Sequence, residues 1–232
     1  MSPQRPPRRD APGRFVTFEG GEGVGKSTQI RTLAKSLQKA GLAVVTTREP
    51  GGTPSGDLVR QVLLSGRAAP FGSDAEAMLF AAARAEHVAR VIAPALTRGE
   101  WVLCDRFIDS TRVYQGSGGV SDGLIAALET VALDGVVPDL TIILDLPAEQ
   151  GLARAATRRH GEGAQVDRFE GEDVAIHEGR RKAFLAIAAA EPERCVVIDA
   201  AGNPASVAGR IARAVEERLG VPLGAPLARA GT

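Results

Sequence analysis

In the stretch Gly20-Gly21-Glu22-Gly23-Val24-Gly25-Lys26-Ser27-Thr28, the first eight residues fit the pattern G-x-x-x-x-G-K-[ST]. The chemistry this spacing allows is anion binding. Glycines let successive backbone N–H groups converge on one point, and a helix N-terminus adds the positive end of its dipole. Lys26 can then reach the outer phosphates of a nucleotide, and the Ser27 hydroxyl can bind a magnesium ion. The pattern needs a strand before it and a helix after it. Arg14 to Phe18 is short, apolar and β-branched, as a buried strand is. From Thr28 to Ala40, residues Ile30, Leu33, Ala34 and Leu37 recur at helical spacing.

Two further polar clusters follow strand-like runs: Arg48-Glu49-Pro50 after Leu42–Thr46, and Asp105-Arg106 after Trp101–Cys104. In a parallel sheet the carboxyl ends of the strands share one edge, so both clusters should face the phosphate loop. They suit a second, anionic ligand that accepts a phosphoryl group. An arginine fork binds phosphate oxygens in pairs, which lysine cannot do. Arg106 is the first candidate for the acceptor's phosphate and Arg48 the second. Glu49 and Asp105 would hold magnesium or its waters, or orient those arginines. Either cluster could also be a plain strand-end salt bridge.

The elements that must position these groups alternate along the chain. Helices are predicted from Pro54 to Leu64, Ala75 to Thr97 (capped by Asp74, kinked or broken at Pro94) and from Ser110 towards Gly119. Others run from Ser121 to Leu133, from Pro147 into Arg158-Arg159-His160, from Glu170 to Ala190 and from Ala205 to Leu219. Leu140–Leu144 and Cys195–Ile198 complete five strands, each nearly all apolar. That pattern predicts an α/β fold, a five-stranded parallel sheet with helices on both faces. The polar run from Gly161 to Val166 reads as a flexible lid. The simplest division is one domain over 14–219 with a lid at about 154–169. Residues 1–13 then form a disordered leader and 220–232 a flexible tail.

Composition narrows the function. Acidic and basic residues balance at 28 each, so no overall field draws the chain to nucleic acid or to a membrane. No apolar run approaches the ~20 residues of a membrane span. The Pro- and Arg-rich start lacks the apolar core of a secretory signal. The two cysteines, Cys104 and Cys195, sit in apolar strand-like runs, which suits a reducing cytoplasm rather than a disulfide framework. The sole asparagine, Asn203, precedes Pro204, so the Asn-Lys-x-Asp element by which GTPases read guanine is excluded.

The chain resembles the bacterial thymidylate kinases, P-loop nucleoside monophosphate kinases that phosphorylate dTMP to dTDP with ATP and magnesium. The resemblance lies in FEGGEGVGKST at 18–28, TREPGGT at 47–53, LFAAARAEHV at 79–88, DRFIDSTRVYQG at 105–116, PDLTIILDLP at 138–147 and DRFE at 167–170. It implies the P-loop NTPase fold, ATP and dTMP as partners, Mg2+ as cofactor and a homodimer. It also implies roles. Phe80 on the long helix would stack on thymine, where the residues alone suggest a core aromatic. Arg84, one turn on, would hydrogen-bond the base together with Ser110, Thr111 and Gln115. Stacking is worth roughly 1–3 kcal/mol and does not choose the base, so the polar partners must. Tyr114 would crowd the 2′ side of the sugar, and Glu22 would contact the acceptor's sugar and the metal.

The loop carries Val24 where some relatives place an arginine. A positioned arginine can be worth roughly 10³–10⁵ in phosphoryl-transfer rate, so the resemblance points to the version in which lid arginines close over ATP. Arg158 and Arg159 would meet phosphates, Arg154 would pack near the adenine, and the Ala200-Ala201-Gly202 turn would hold that base loosely. The acceptor is already an anion, so in-line transfer needs neither a covalent intermediate nor a general base. Two other readings share the loop: another nucleoside or nucleotide kinase of the same fold, and a switch that binds ATP without an acceptor.

Overall fold

The computed structural model describes residues 13–162, 169 and 171–223, without the side chains of 158–162. Residues 1–12 of the expected leader, 163–168 of the expected lid and 224–232 of the expected tail lie outside the described residues.

β1 (Phe15–Glu19) is buried along its whole length, Thr17 and Glu19 included. It pairs in parallel with β3 (Trp101–Asp105) on one side and β4 (Leu140–Asp145) on the other. β2 (Val44–Arg48) and β5 (Cys195–Asp199) form the edges, giving the order β2-β3-β1-β4-β5 with every pairing parallel. β1 is therefore central, and its carboxyl end delivers the glycine loop to the middle of the sheet edge, where ligands bind in such folds. The three central strands are buried runs as predicted, but the edge strands are only half covered.

The helices are α1 (Lys26–Lys39), α2 (Pro54–Leu64), α3 (Ser73–His87), α4 (Ala93–Thr97), α5 (Ile108–Ser117), α6 (Asp122–Leu133), α7 (Ala148–Glu162), α8 (Val174–Ala190) and α9 (Pro204–Leu219). α1 buries the predicted stripe Ile30, Leu33, Ala34 and Leu37. With α9 it covers Val16, Phe18, Leu103 and Ile142 on one face of the sheet. Phe15, Val102, Cys104 and Phe107 close the other face against Val88, Ile92 and Ala95.

Several boundaries differ from the sequence-based expectation. β2 begins at Val44 rather than Leu42, because pairing sets Val44 opposite Trp101 and Arg48 opposite Asp105. The long helix starts at Ser73 and is not one regular helix. A π turn over Val88–Ile92 separates α3 from α4, directly before Pro94, whose missing N–H already removes one rung of the ladder. α7 continues through Gly161 and Glu162, and α8 begins at Val174 instead of Glu170.

The glycine loop rests on α7 through a glycine pair. A Cβ on Gly23 would lie 1.9 Å from the Gly151 carbonyl oxygen, and one on Gly151 would lie 2.3 Å from the Glu22 carbonyl oxygen. Both obstacles are backbone, so neither can rotate away. Gly151→Ala is therefore expected to push the loop off its position and to weaken nucleoside triphosphate binding by about tenfold or more, since a shift near 1 Å at such a site costs up to ~100-fold. Titration calorimetry against Gly179→Ala, an α8 change that meets open space, checks this.

Candidate active site

A cavity of about 700 Å³ opens at the carboxyl edge of the sheet. One end is made by the glycine loop and the start of α1: Glu22, Gly23, Gly25, Lys26, Ser27 and Thr28. Gly25 (φ 100°) turns the chain into α1 in a conformation that glycine adopts without strain. Lys26 Nζ donates to the Gly20 and Gly21 carbonyls at 3.1 and 2.7 Å. Burial, and next Arg106 nearby, lower its pKa. The Ser27 hydroxyl donates to Asp105 Oδ2 at 2.6 Å. Val24 points away, into the core with Leu144 and Leu146, which accounts for an apolar residue at this place in the loop.

Arg106 stands between the two ends. Its φ of 67° is left-handed and unusual for a residue with a side chain, and its N–H is held by the Phe18 carbonyl at 2.9 Å. The guanidinium donates to Glu22 Oε1 at 2.5 Å, to the Ser110 hydroxyl at 3.2 Å and to the Gly20 carbonyl at 3.3 Å, and lies over the Tyr114 ring. Tyr114 Oη donates to the same Glu22 oxygen at 2.9 Å. Burial alone would raise the Glu22 pKa, but Arg106, Lys26 and the Tyr114 hydroxyl outweigh it and hold it at about 2. Glu22 is thus an anion shared by the loop, Arg106 and Tyr114.

The other end is lined by Arg48, Glu49, Pro50, Phe80, Arg84, Asp105, Arg106, Ser110, Thr111, Tyr114 and Gln115. Phe80 and Arg84 share one face of α3. Arg84 Nε donates to Glu49 Oε2 at 2.7 Å and Nη2 to the Phe107 carbonyl at 3.2 Å. Arg48 sits at the rim, exposed, 3.4 Å from Asp57. Arg154 on α7 reaches the Ala200 carbonyl at 3.2 Å, so the two elements expected beside the adenine are neighbours. Arg158 and Arg159 fall where side chains lie outside the described residues.

The sequence reading missed the groups that hold α5 in place. Glu19 Oε1 accepts from the Phe107 and Ser110 backbone N–H groups at 2.7 and 3.3 Å, and Oε2 accepts from the Ser110 hydroxyl at 2.6 Å. The carboxylate caps α5 from another strand, and the helix starts at Ile108 rather than Ser110. On the opposite side Asp109 is fully buried and takes both prongs of Arg194 at 2.7 and 2.8 Å, while Arg112 forks onto Glu129. Ser110, expected to face a base, has its hydroxyl committed between Glu19 and Arg106.

Burial, with Asp109 nearby, raises the Glu19 pKa to about 7 against the hydrogen bonds from Ser110 and Phe107. Between the ordinary carboxylate range and pH 7 the folded chain therefore holds a proton that the unfolded chain has released. Stability falls as pH rises through that window, by ~3 kcal/mol, and levels off above it. Glu19→Gln is expected to flatten that slope, read as urea midpoints from pH 5 to pH 8.

Asp105 and Ser27 present hard oxygen donors at one point, the type magnesium accepts. Among the described residues no cluster of three or more His, Cys, Asp or Glu could cage a metal by itself.

Comparisons with known proteins bear on the family of the chain. The family model for thymidylate kinase matches residues 18–211. A thymidylate kinase of Rhodopseudomonas palustris is 57% identical over 233 residues, covering 100% of this chain and 98% of its own length. One from Bradyrhizobium diazoefficiens is 56% identical over 220 residues, covering 94% of this chain and 96% of its own. The crystal structure of the Ehrlichia chaffeensis thymidylate kinase superposes with a TM-score of 0.69 at 36% identity, over 88% of this chain and 99% of that one. The sheet order and the loop after β1 are those of the P-loop NTPase fold. With sequence, fold and site in accord, the chain belongs to the thymidylate kinase family.

Proposed function

We propose that this chain transfers the γ-phosphoryl group of ATP to the phosphate of dTMP, giving ADP and dTDP, and that residues 14–219 form the kinase unit. The observation that carries this is the continuity of one cavity from the glycine loop to Phe80, Arg84 and α5, with Arg106 between the two ends. A protein that only binds ATP has no use for the second end.

In this reading the loop amides, Gly20 to Thr28, and Lys26 hold the ATP phosphates. Ser27 and Asp105 hold Mg2+, which when bound offsets charge on the phosphates. Arg106, with Arg48, neutralises the acceptor phosphate and aligns it for in-line attack. Glu22 orients Arg106 and meets the acceptor's sugar, with Tyr114 against the 2′ carbon. Phe80 stacks on thymine, and Arg84, Thr111 and Gln115 read its edge. Arg158 and Arg159 add positive charge over the γ-phosphate, and Arg154 with the Ala200 turn flanks the adenine.

A coupled assay for ADP tests the assignment. Turnover should depend on dTMP, with dUMP a poorer acceptor by about 10–200-fold, the worth of one methyl group. Turnover with dCMP, dAMP or UMP in preference to dTMP, or ATP consumption independent of an acceptor, would overturn it.

We further infer a homodimer in the cytoplasm. Leu58 and Val62 on α2 and Met78 on α3 leave apolar side chains exposed on packed neighbouring helices. Both cysteines are free and buried, as in a reducing compartment. Light scattering should give twice the chain mass, and Met78→Glu should lower it towards one chain.

A further inference from the structure

We propose that His87 and Glu49 are positioning residues for acceptor recognition: a hydrogen-bonded chain Thr47–His87–Glu49–Arg84 fixes the Arg84 guanidinium in the cavity. The inference rests on the placement of the acceptor's base beside Arg84. It gives Glu49 the orienting role, not metal binding.

The carboxylate of Glu49 is almost fully buried, with Oε2 on Arg84 Nε at 2.7 Å and Oε1 on His87 Nδ1 at 2.9 Å. A buried carboxylate needs such partners, because its desolvation is otherwise uncompensated. A carboxylate can only accept, so His87 Nδ1 carries the proton. In the neutral ring Nε2 then accepts, and the Thr47 hydroxyl, 2.6 Å away, donates to it. The Thr47 hydroxyl thus serves the ring, and the ring and Arg84 Nε both serve Glu49. Ser27, by contrast, pairs with Asp105 and not with Glu49.

The backbone is shaped around this histidine. Gly52 has φ 85°, and a Cβ there would lie 2.5 Å from His87 Nε2 and 2.6 Å from Thr47 Oγ1. A side chain at position 52 would displace the ring. Phe80, Arg84 and His87 stand at i, i+4 and i+7 of α3, one face of the helix. Thr47 lies on β2, a half-covered edge strand, and Glu49 follows its last residue. The chain thus ties α3 to β2. Because Nε bonds Glu49 and Nη2 bonds the Phe107 carbonyl, the guanidinium plane is set and its outer edge is aimed by these two contacts.

Four single variants of the full chain, Arg84→Ala, His87→Leu, His87→Asn and Glu49→Gln, and the double variant of the first two test this. Steady-state kinetics with dTMP, ATP and Mg2+ each varied give the readout. His87→Leu is expected to raise the KM for dTMP by about tenfold, with the KM for ATP and kcat within about twofold. His87→Asn, whose amide nitrogen can replace Nδ1, should recover most of that loss. Glu49→Gln should raise the dTMP KM similarly and leave half-saturation by Mg2+ unchanged. In an Arg84→Ala background, His87→Leu should add almost nothing, since it acts through Arg84.

Equal losses for both substrates, no recovery by His87→Asn, additive effects in the double variant, or a shifted Mg2+ dependence in Glu49→Gln would each overturn the proposal. If His87→Leu does not fold, His87→Asn and Glu49→Gln still decide it. An unchanged dTMP KM in Arg84→Ala removes the base placement itself. A raised one with unaffected His87 and Glu49 variants keeps that placement and rejects only the positioning chain.

Discussion

Replacing Arg106 with alanine is expected to lower kcat/KM for dTMP by about 10³-fold or more, with most of the loss in kcat. The guanidinium is in contact with both halves of the site: Glu22 and the Gly20 carbonyl on the loop side, Ser110 and Tyr114 on the α5 side. In the proposed reaction it relieves much of the repulsion between the acceptor's phosphate and the γ-phosphate. A second loss follows at Glu22. Its pKa is held at about 2 against burial chiefly by Arg106. Remove that charge and burial prevails, so the carboxylate begins to take up protons closer to neutral pH.

The sign of the stability effect follows. A carboxylate depressed in the folded state contributes stability above its unfolded pKa and loses it as pH falls through the folded one, here from about 4.5 towards about 2. Arg106→Ala should therefore lose about 3 kcal/mol at neutral pH and show less further loss on acidification than the parent. Arg106→Lys keeps a charge but not the fork, and should recover stability better than rate. Urea titrations at pH 4 and pH 7 beside the kinetics check both halves. A loss under about tenfold in kcat would remove Arg106 from the transferring centre.

What could be read from the chain alone follows from the range of the interactions concerned. The phosphate loop is local: its residues, its strand and its helix are contiguous, so the string carries its own context. The core stripe of α1 is local in the same sense. Phe80 is different. Its spacing suits a core aromatic as well as a cavity wall, and only resemblance to a family separated the two. The start of α5 was misplaced because its cap comes from Glu19, 88 residues away from Phe107. The extent of β2 is set by pairing with β3, also distant in sequence.

His87 had one available signal, the i+7 position from Phe80 on the same helix face. Nothing local marks that face as polar, because its partners Thr47 and Glu49 arrive from another strand. Val24 shows the converse. Its lack of charge is visible in the sequence, and its burial in the core cluster that includes Leu144 and Leu146 supplies the reason.

Lys26 carries the other large effect, and there activity and stability are expected to move in opposite directions. Its ammonium is buried, bonded to two loop carbonyls. Burial, and then Arg106, depress its pKa, and Glu22, Asp105 and Glu19 offset this only in part. A lysine whose folded pKa lies below its unfolded value makes folding less favourable wherever the ammonium form prevails, and the penalty fades as pH rises into the alkaline range. Lys26→Met keeps the length of the side chain and removes the charge. It should therefore raise the urea midpoint at pH 7, and that advantage should shrink towards pH 10.

Catalysis should fail in the same variant. The charge that the fold tolerates at a cost is the one that the proposed function sets against the outer phosphates, so kcat should fall by about 10³-fold. A Lys26→Met protein that is less stable than the parent would show that the ammonium is needed to build the loop. One that keeps more than about a tenth of the parent kcat would show that the glycine amides and Arg106 suffice for transfer. The combination of a firmer fold and a lost reaction is the outcome that assigns Lys26 to the chemistry alone.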